Sequence, residues 1–214
     1  MWKFALPLIL VTIGLGQSAS TPPGASDHGR PAVIRSSDLD GFEALAEPRR
    51  KLIETALGVA RDSPWLRYVP AGSTPSDGGF DCSGAMYFVL RKAGLEPPRT
   101  AANQREWVRG RSELHEPPDD ATSLDHPSLA SLRPGDLLFW GHPEAEPPRV
   151  SHVAMYLGKE KKDDRPVMIN STDGRSYRGV KANGYGVYEF RLPGPGSKTR
   201  FMGYGSPPGL DGKS

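Results

Sequence analysis

The chain has 214 residues, room for one domain of ordinary size plus tails, and its 25 Gly and 22 Pro exclude a long helical bundle. Its 27 Lys and Arg against 25 Asp and Glu give a formal net charge of +2. That balance provides no broad basic field and argues against nucleic acid as a partner.

The long apolar run stands at the N-terminus. Met1-Trp2-Lys3 gives a positive start, Phe4 to Leu15 is almost wholly apolar, and Gly16-Gln17-Ser18-Ala19-Ser20 supplies small residues. This is the layout of a secretory signal peptide over residues 1–20. The run is shorter than the ~20 residues needed to span a bilayer, and no cysteine follows it for lipid attachment. The expected protein is therefore exported, to the periplasm or to the extracellular space and cell wall, with no stable membrane anchor after cleavage. Residues 21–46, rich in Pro, Ser and Gly, show neither helical nor strand period and read as a flexible arm.

Leu52, Ile53, Ala56, Leu57 and Ala60 recur at helical spacing, which predicts a helix over 48–61 with Arg49, Arg50 and Lys51 on a solvated face. A turn-rich stretch from Ala71 to Gly79 leads into Phe80-Asp81-Cys82-Ser83-Gly84. Ala85, Met86, Phe88, Val89 and Leu90 then predict a second helix, with Gly94 as its C-terminal stop. A short third helix is expected over 101–108. Residues 110–131, with three prolines among acidic residues, read as an irregular surface excursion.

Beyond Pro134-Gly135 the pattern changes to strands, at 137–140, 150–157, 167–171, 186–190 and 201–204. Helices first and strands second predict an α+β domain over 47–206, with the helices packed on one side of an antiparallel sheet of five to six strands. Residues 207–214 read as a flexible tail.

A single cysteine in an exported chain cannot form an internal disulfide, so Cys82 is a thiol for a partner chain, a functional thiol, or an inert buried one. Its place where a loop becomes a helix favours the functional reading: unpaired N–H groups and the helix dipole stabilise a thiolate. On that basis Cys82 is expected to be accessible and reactive. A cysteine nucleophile needs a histidine base and a third polar group to orient it. Of the five histidines, His28 lies in the arm, His115 and His126 in the excursion, and His142 in a Gly/Pro loop. Only His152 lies within a predicted strand, which holds an imidazole more rigidly. Asn170 ends the next strand and can lie beside His152 if the two strands pair; it reads equally well as a turn residue before Ser171-Thr172-Asp173-Gly174. Neither zinc-ligand spacing nor an HExxH pair is present, so no metal or other cofactor is expected.

Taken together, Phe80-Asp81-Cys82-Ser83-Gly84, Pro134-Gly135-Asp136-Leu137-Leu138-Phe139-Trp140 and Ser151-His152-Val153-Ala154-Met155-Tyr156-Leu157-Gly158 resemble the successive signatures of the NlpC-type cysteine peptidases of bacterial cell walls. The resemblance covers roughly residues 47–204. It implies a papain-like fold and hydrolysis of peptidoglycan stem peptides, commonly between D-γ-glutamate and diaminopimelate. Cys82 matches the family nucleophile, His152 its base and Asn170 its third polar position, often a second histidine. Tyr68-Val69-Pro70-Ala71-Gly72 resembles the family's tyrosine followed by two glycines, with Ala71 in place of the first. The resemblance gives Tyr68, Asp81 and Ser83 to substrate binding, Ser83 at the place that receives the free amino end of the stem peptide. Pro98-Arg99-Thr100 and Gln104 fit as supports of the groove, which the long loops 110–131 and 141–149 would wall, and Asp136 fits as turn chemistry. A thiol amidase or acyltransferase on the same fold, or a wall-interaction protein with a vestigial site, are the alternatives.

Overall fold

The computed structural model describes residues 28–111, 114–146, 148–194 and 196–211. The expected signal peptide, residues 1–20, lies outside the described residues. The domain is α+β. Three helices, α1 (Glu47–Asp62), α2 (Cys82–Lys92) and α3 (Ala101–Arg109), precede a sheet of five strands, β4 (Leu137–His142), β5 (Arg149–Lys159), β6 (Pro166–Tyr177), β7 (Val180–Glu189) and β8 (Arg200–Gly205). Every pairing in it is antiparallel, in the order β7-β6-β5-β4-β8. A second, small sheet holds three two-residue strands, β1 (Arg67–Tyr68), β2 (Ser73–Thr74) and β3 (Gly79–Phe80), in the order β1-β3-β2.

The sheet is buried on both faces, which explains why its strands read as near-continuous apolar runs. Leu137, Phe139, Val153, Met155, Ile169 and Val187 form one core with Leu52, Ile53 and Leu57 of α1 and with Met86, Val89 and Leu90 of α2. On the other face Leu138, Trp140, Tyr156, Met168, Tyr188, Phe190 and Tyr204 form a second core. Leu129, with the partly buried Leu124 and Leu132, packs onto that second core, so the later part of the excursion, residues 124–132, covers the far face of the sheet. Each large side chain fully buried in this way stabilises the fold by about 1.5–3 kcal/mol.

Three stretches differ from the sequence expectations. Residues 28–46 of the arm are packed: Ile34, Leu39 and Phe42 are buried, and Gly29 and Ala32 bridge to Ala182 and Val187 of the edge strand β7. Covering an edge strand satisfies its free N–H and C=O groups. At the other end, Leu210 is buried and Asp211 pairs with Arg49 and Arg133, which ties down the expected tail as far as residue 211. Arg49 itself is only 3% exposed. Its guanidinium donates to Pro134 O, Asp136 Oδ1, Ser206 Oγ and both carboxylate oxygens of Asp211. The helix thus turns one member of its basic run inward, because a buried carboxylate at the β4 turn needs a cation.

The third difference is β6. The polar run after Asn170 reads as a turn, yet the strand continues to Tyr177, with Asp173 opposite Asn183 and Ser176 opposite Lys181. Between those pairs β6 carries one residue more than β7, a bulge that contains Gly174 at φ +87° and Arg175. A glycine in left-handed conformation is the usual first residue of such a bulge.

Candidate active site

Cys82 opens α2. The helix is capped by Asp81, whose Oδ1 accepts from the N–H of Gly84 at 2.6 Å. A Cβ at Gly84 would lie 2.0 Å from the carbonyl oxygen of Gly72, so this glycine is what lets the start of α2 sit against the loop after β1. In that loop Ala71 adopts φ +62°, the left-handed conformation that a glycine takes more readily. Arg99 fastens the two together, donating to Ala71 O, Gly72 O, Asp81 and Ser83 Oγ. Gln104 Nε2 adds bonds to Ser83 O and Pro98 O.

The Cys82 thiol is 8% exposed and faces the backbone of β5, with Sγ 3.9 Å from Ser151 O and the Val153 N–H directed at it. It therefore lies against the two residues that flank His152. Burial raises the thiol above its ordinary value, and the Asp81 charge adds to this. The N–H groups of Val153, Ser83 and Cys82 act in the opposite sense without prevailing. The expectation of an accessible, thiolate-prone cysteine is corrected here: desolvation of a charge outweighs the helix terminus.

His152 pairs with Trp140 across β4 and β5, their rings 5.6 Å apart. The hydrogen-bonded register of β5 with β6 runs from Lys159 opposite Pro166 to Met155 opposite Ile169. Beyond it, the side chains of His152 and Asn170 meet, with His152 Nε2 2.6 Å from the Asn170 amide nitrogen. Asn170 is fully buried, and its Oδ1 has no hydrogen-bond partner among the described residues. A half-turn of the amide exchanges its nitrogen and oxygen, and Oδ1 then accepts from Nε2–H, leaving Nδ1 with the free lone pair that a base requires. Burial and, secondarily, the positive charge of Arg175 push His152 down to about 3. Thiol and imidazole are thus both neutral at rest.

The remaining residues expected from sequence are near. The Tyr68 phenol is raised by burial, then by the neighbouring Cys82, Asp81 and Asp173, which sets it beside Cys82. Asp81 and Ser83 are engaged with Arg99, Asp81 being held below its ordinary range against the cost of burial by that bond and by the Gly84 N–H. The other histidines are elsewhere. His28 bonds Asp173, His115 stacks on Tyr204, His126 bonds Ser128, and His142 lies 3.9 Å from Glu144. No group of three or more His, Cys, Asp or Glu side chains suited to a metal ion occurs among the described residues. Arg175 had no signal in the sequence. It comes from the β6 bulge, lies over the Trp140 ring at 4.7 Å, and acts electrostatically on both Cys82 and His152.

The NlpC/P60 family model matches residues 66–186, which contain Tyr68, Asp81, Cys82, Ser83, Arg99, His152, Asn170 and Arg175. The chain belongs to the NlpC/P60 family. Among curated proteins it is 34% identical over 130 residues to the bifunctional muramidase/DL-endopeptidase CwlT of Bacillus subtilis, 60% of this chain and 32% of the relative. It is 31% identical over 110 residues to the probable endopeptidase p60 of Listeria monocytogenes, 51% of this chain and 17% of the relative. With the γ-D-glutamyl-L-lysine dipeptidyl-peptidase of B. subtilis it shares 34% over 83 residues, 39% of this chain and 22% of the relative. The chain spans about a third or less of the length of these relatives. A solved structure of the peptidoglycan hydrolase RipB from Mycobacterium tuberculosis aligns at a TM-score of 0.45 and 20% identity, over 77% of this chain and 69% of that one.

Proposed function

We propose that this NlpC/P60 domain is an exported cysteine endopeptidase that hydrolyses peptidoglycan stem peptides on the carboxyl side of γ-linked D-glutamate, before diaminopimelate or the equivalent diamino acid. The reading is supported by Cys82, at the first turn of α2, lying against the β5 backbone at Ser151 and Val153, the neighbours of His152, and by the bond of His152 to Asn170 on the next strand. The names of the relatives, two of them DL-endopeptidase and γ-D-glutamyl-L-lysine dipeptidyl-peptidase, support the bond. The apolar N-terminal segment supports export.

In this mechanism the resting pair is neutral, and the proton moves only as substrate seals the site. His152 Nδ1 takes the Cys82 proton while the sulfur attacks the γ-carbonyl carbon of D-glutamate. The N–H of Cys82 and a neighbouring donor hold the oxyanion that forms. Collapse expels the amine, which receives the proton from His152 and leaves a thioester on Cys82. Water, deprotonated by the same imidazole, hydrolyses that thioester and restores the thiol. Asn170 keeps the ring in the tautomer that these steps need, without supplying charge. Tyr68, Asp81 and Ser83 form the wall that receives the amino-terminal end of the stem peptide.

Digestion of defined stem peptides, with the products weighed by mass spectrometry, tests the proposal. Cleavage after γ-D-glutamate supports it. Release of the lactyl end from the peptide identifies an amidase on the same fold, and intact peptide after long digestion identifies a non-catalytic wall-interaction protein.

A further inference from the structure

The geometry points to Arg175 as the residue that selects a free carboxylate on the substrate, the α-carboxylate that γ-linkage leaves uncapped on the glutamate whose side-chain carbonyl is cleaved. The inference rests on the proposed cleavage after γ-linked glutamate and adds the means by which that residue is told from its amide.

Many arginines in this domain are paired with carboxylates, although Arg67, over the Trp65 ring, and several others are not. Arg49 has Asp136 and Asp211, Arg99 has Asp81, Arg105 has Glu116, and Arg165 and Arg178 share Asp163. Arg175 is not so paired, and it is the one that acts electrostatically on Cys82 and His152. It is partly buried, lies over Trp140 with Cζ 4.7 Å from the ring centroid, and has neither an ion pair nor a hydrogen-bond acceptor among the described residues. The nearest acid in sequence, Asp173, is bonded to His28 Nδ1 at 2.9 Å. A desolvated guanidinium with unused donors is costly unless an anion completes it, and its planar fork matches a carboxylate in two parallel bonds.

The position agrees with this use. Without the extra residue at Gly174 and Arg175, strand alternation would carry the residue-175 side chain to the opposite face from Asn170. The bulge re-aims it towards Trp140, and Trp140 is the cross-strand partner of His152. The Trp140 ring faces the guanidinium, whose N–H groups have no acceptor among the described residues. In a γ-linked glutamate only Cα, Cβ and Cγ separate the α-carboxylate from the scissile carbonyl, so an anion recognised within the catalytic cleft suits that group. Amidation of the same carboxyl would remove the charge and put an N–H₂ donor against a guanidinium that has only donors.

The test uses the full-length mature protein and two tripeptides, L-Ala-γ-D-Glu-L-Lys and its isoglutaminyl counterpart, L-Ala-γ-D-isoGln-L-Lys, with kcat and KM measured separately for wild type, Arg175→Gln and Arg175→Lys. Wild type is expected to prefer the acid by about tenfold or more in kcat/KM, the scale of a charge-assisted hydrogen bond. Arg175→Gln should bring the acid-to-amide ratio close to one, chiefly through a higher KM for the acid, and Arg175→Lys should restore part of the preference. Melting temperatures of the variants check that the fold is kept. A wild type indifferent to amidation overturns the inference. So does an Arg175→Gln variant that loses activity on both substrates in equal proportion, since the arginine would then serve only the electrostatics of Cys82 and His152, or folding, and not the choice of substrate. A wild type that cuts neither tripeptide between residues two and three overturns the proposed cleavage site itself, a result separate from the other two.

Discussion

Asn170 and His152 meet beyond the end of the β5–β6 ladder, 2.6 Å apart, and the amide of Asn170 is fully buried. A bond in that position fixes the imidazole ring without placing a charge in the site. Loss of Asn170 should therefore cost less than loss of His152. We expect His152→Ala to lower kcat by about 10²–10⁴-fold, the usual contribution of a general base, and Asn170→Ala by about tenfold, the value of one hydrogen bond. Asn170→His should retain more than Asn170→Ala. Steady-state kinetics at matched melting temperature decide this, and full activity in Asn170→Ala would show that the amide orients nothing.

Burial of Cys82 predicts slow chemistry in the resting protein. Because desolvation raises the thiol, the thiolate is scarce at pH 7, and its 8% exposure restricts access further. Iodoacetamide should modify the folded protein more slowly than a free cysteine at pH 7, and the rate should keep rising with pH beyond the range where an ordinary thiol has levelled off. Labelling faster than free cysteine would show a resting thiolate and contradict the neutral pair.

The pH profile follows from the same two groups. His152, the proposed base, can take a proton only when neutral, and its value is pushed down to about 3 by burial and by Arg175. The acid limb of kcat/KM should therefore fall well below the ordinary histidine value of 6.5, and activity should stay level from about pH 5 to pH 8. Arg175→Gln removes a nearby positive charge and should move the acid limb upward. An acid limb near pH 6.5 in the wild type would mean that the imidazole is not desolvated as described.

Arg49 is the clearest stability prediction. It is 3% exposed and is the cation for Asp136, which is 2% exposed. Arg49→Met leaves that carboxylate buried without its counter-charge, at a cost of about 3–5 kcal/mol in denaturant unfolding. Asp211→Asn, at a more exposed carboxyl, should cost about 1 kcal/mol. The Asp211 carboxyl is lowered chiefly by its bond to Arg49, so its contribution is complete above the ordinary carboxylate range and disappears as pH falls through the lowered value. Equal stability of Arg49→Met and wild type at pH 7 would count against the buried network.

Helix and strand positions were legible because they follow period. The spacing of Leu52, Ile53, Ala56 and Leu57 predicts 48–61, and the helix spans Glu47–Asp62. Cys82 and His152 were legible as motif residues on elements of recognisable type. What escaped the sequence depends on tertiary partners. Arg49 looks solvated in a basic run because nothing local announces Asp136, 87 residues away. Ile34, Leu39 and Phe42 are too irregularly spaced to signal that the arm covers an edge strand. Arg175 owes its place to a bulge, which breaks the alternation on which strand reading depends. The burial of the thiol was missed for a related reason: a helix start is visible in sequence, whereas the strand packed over it is not.

The most direct test of the account is the turnover of L-Ala-γ-D-Glu-L-Lys by Cys82→Ser beside the wild type, at equal melting temperature and with products identified by mass. The account requires wild-type cleavage after γ-D-glutamate and a loss in the serine variant on the order of 10⁴-fold or more, the scale for removing a nucleophile. A Cys82→Ser protein that still cuts the peptide at a tenth of the wild-type rate would contradict it.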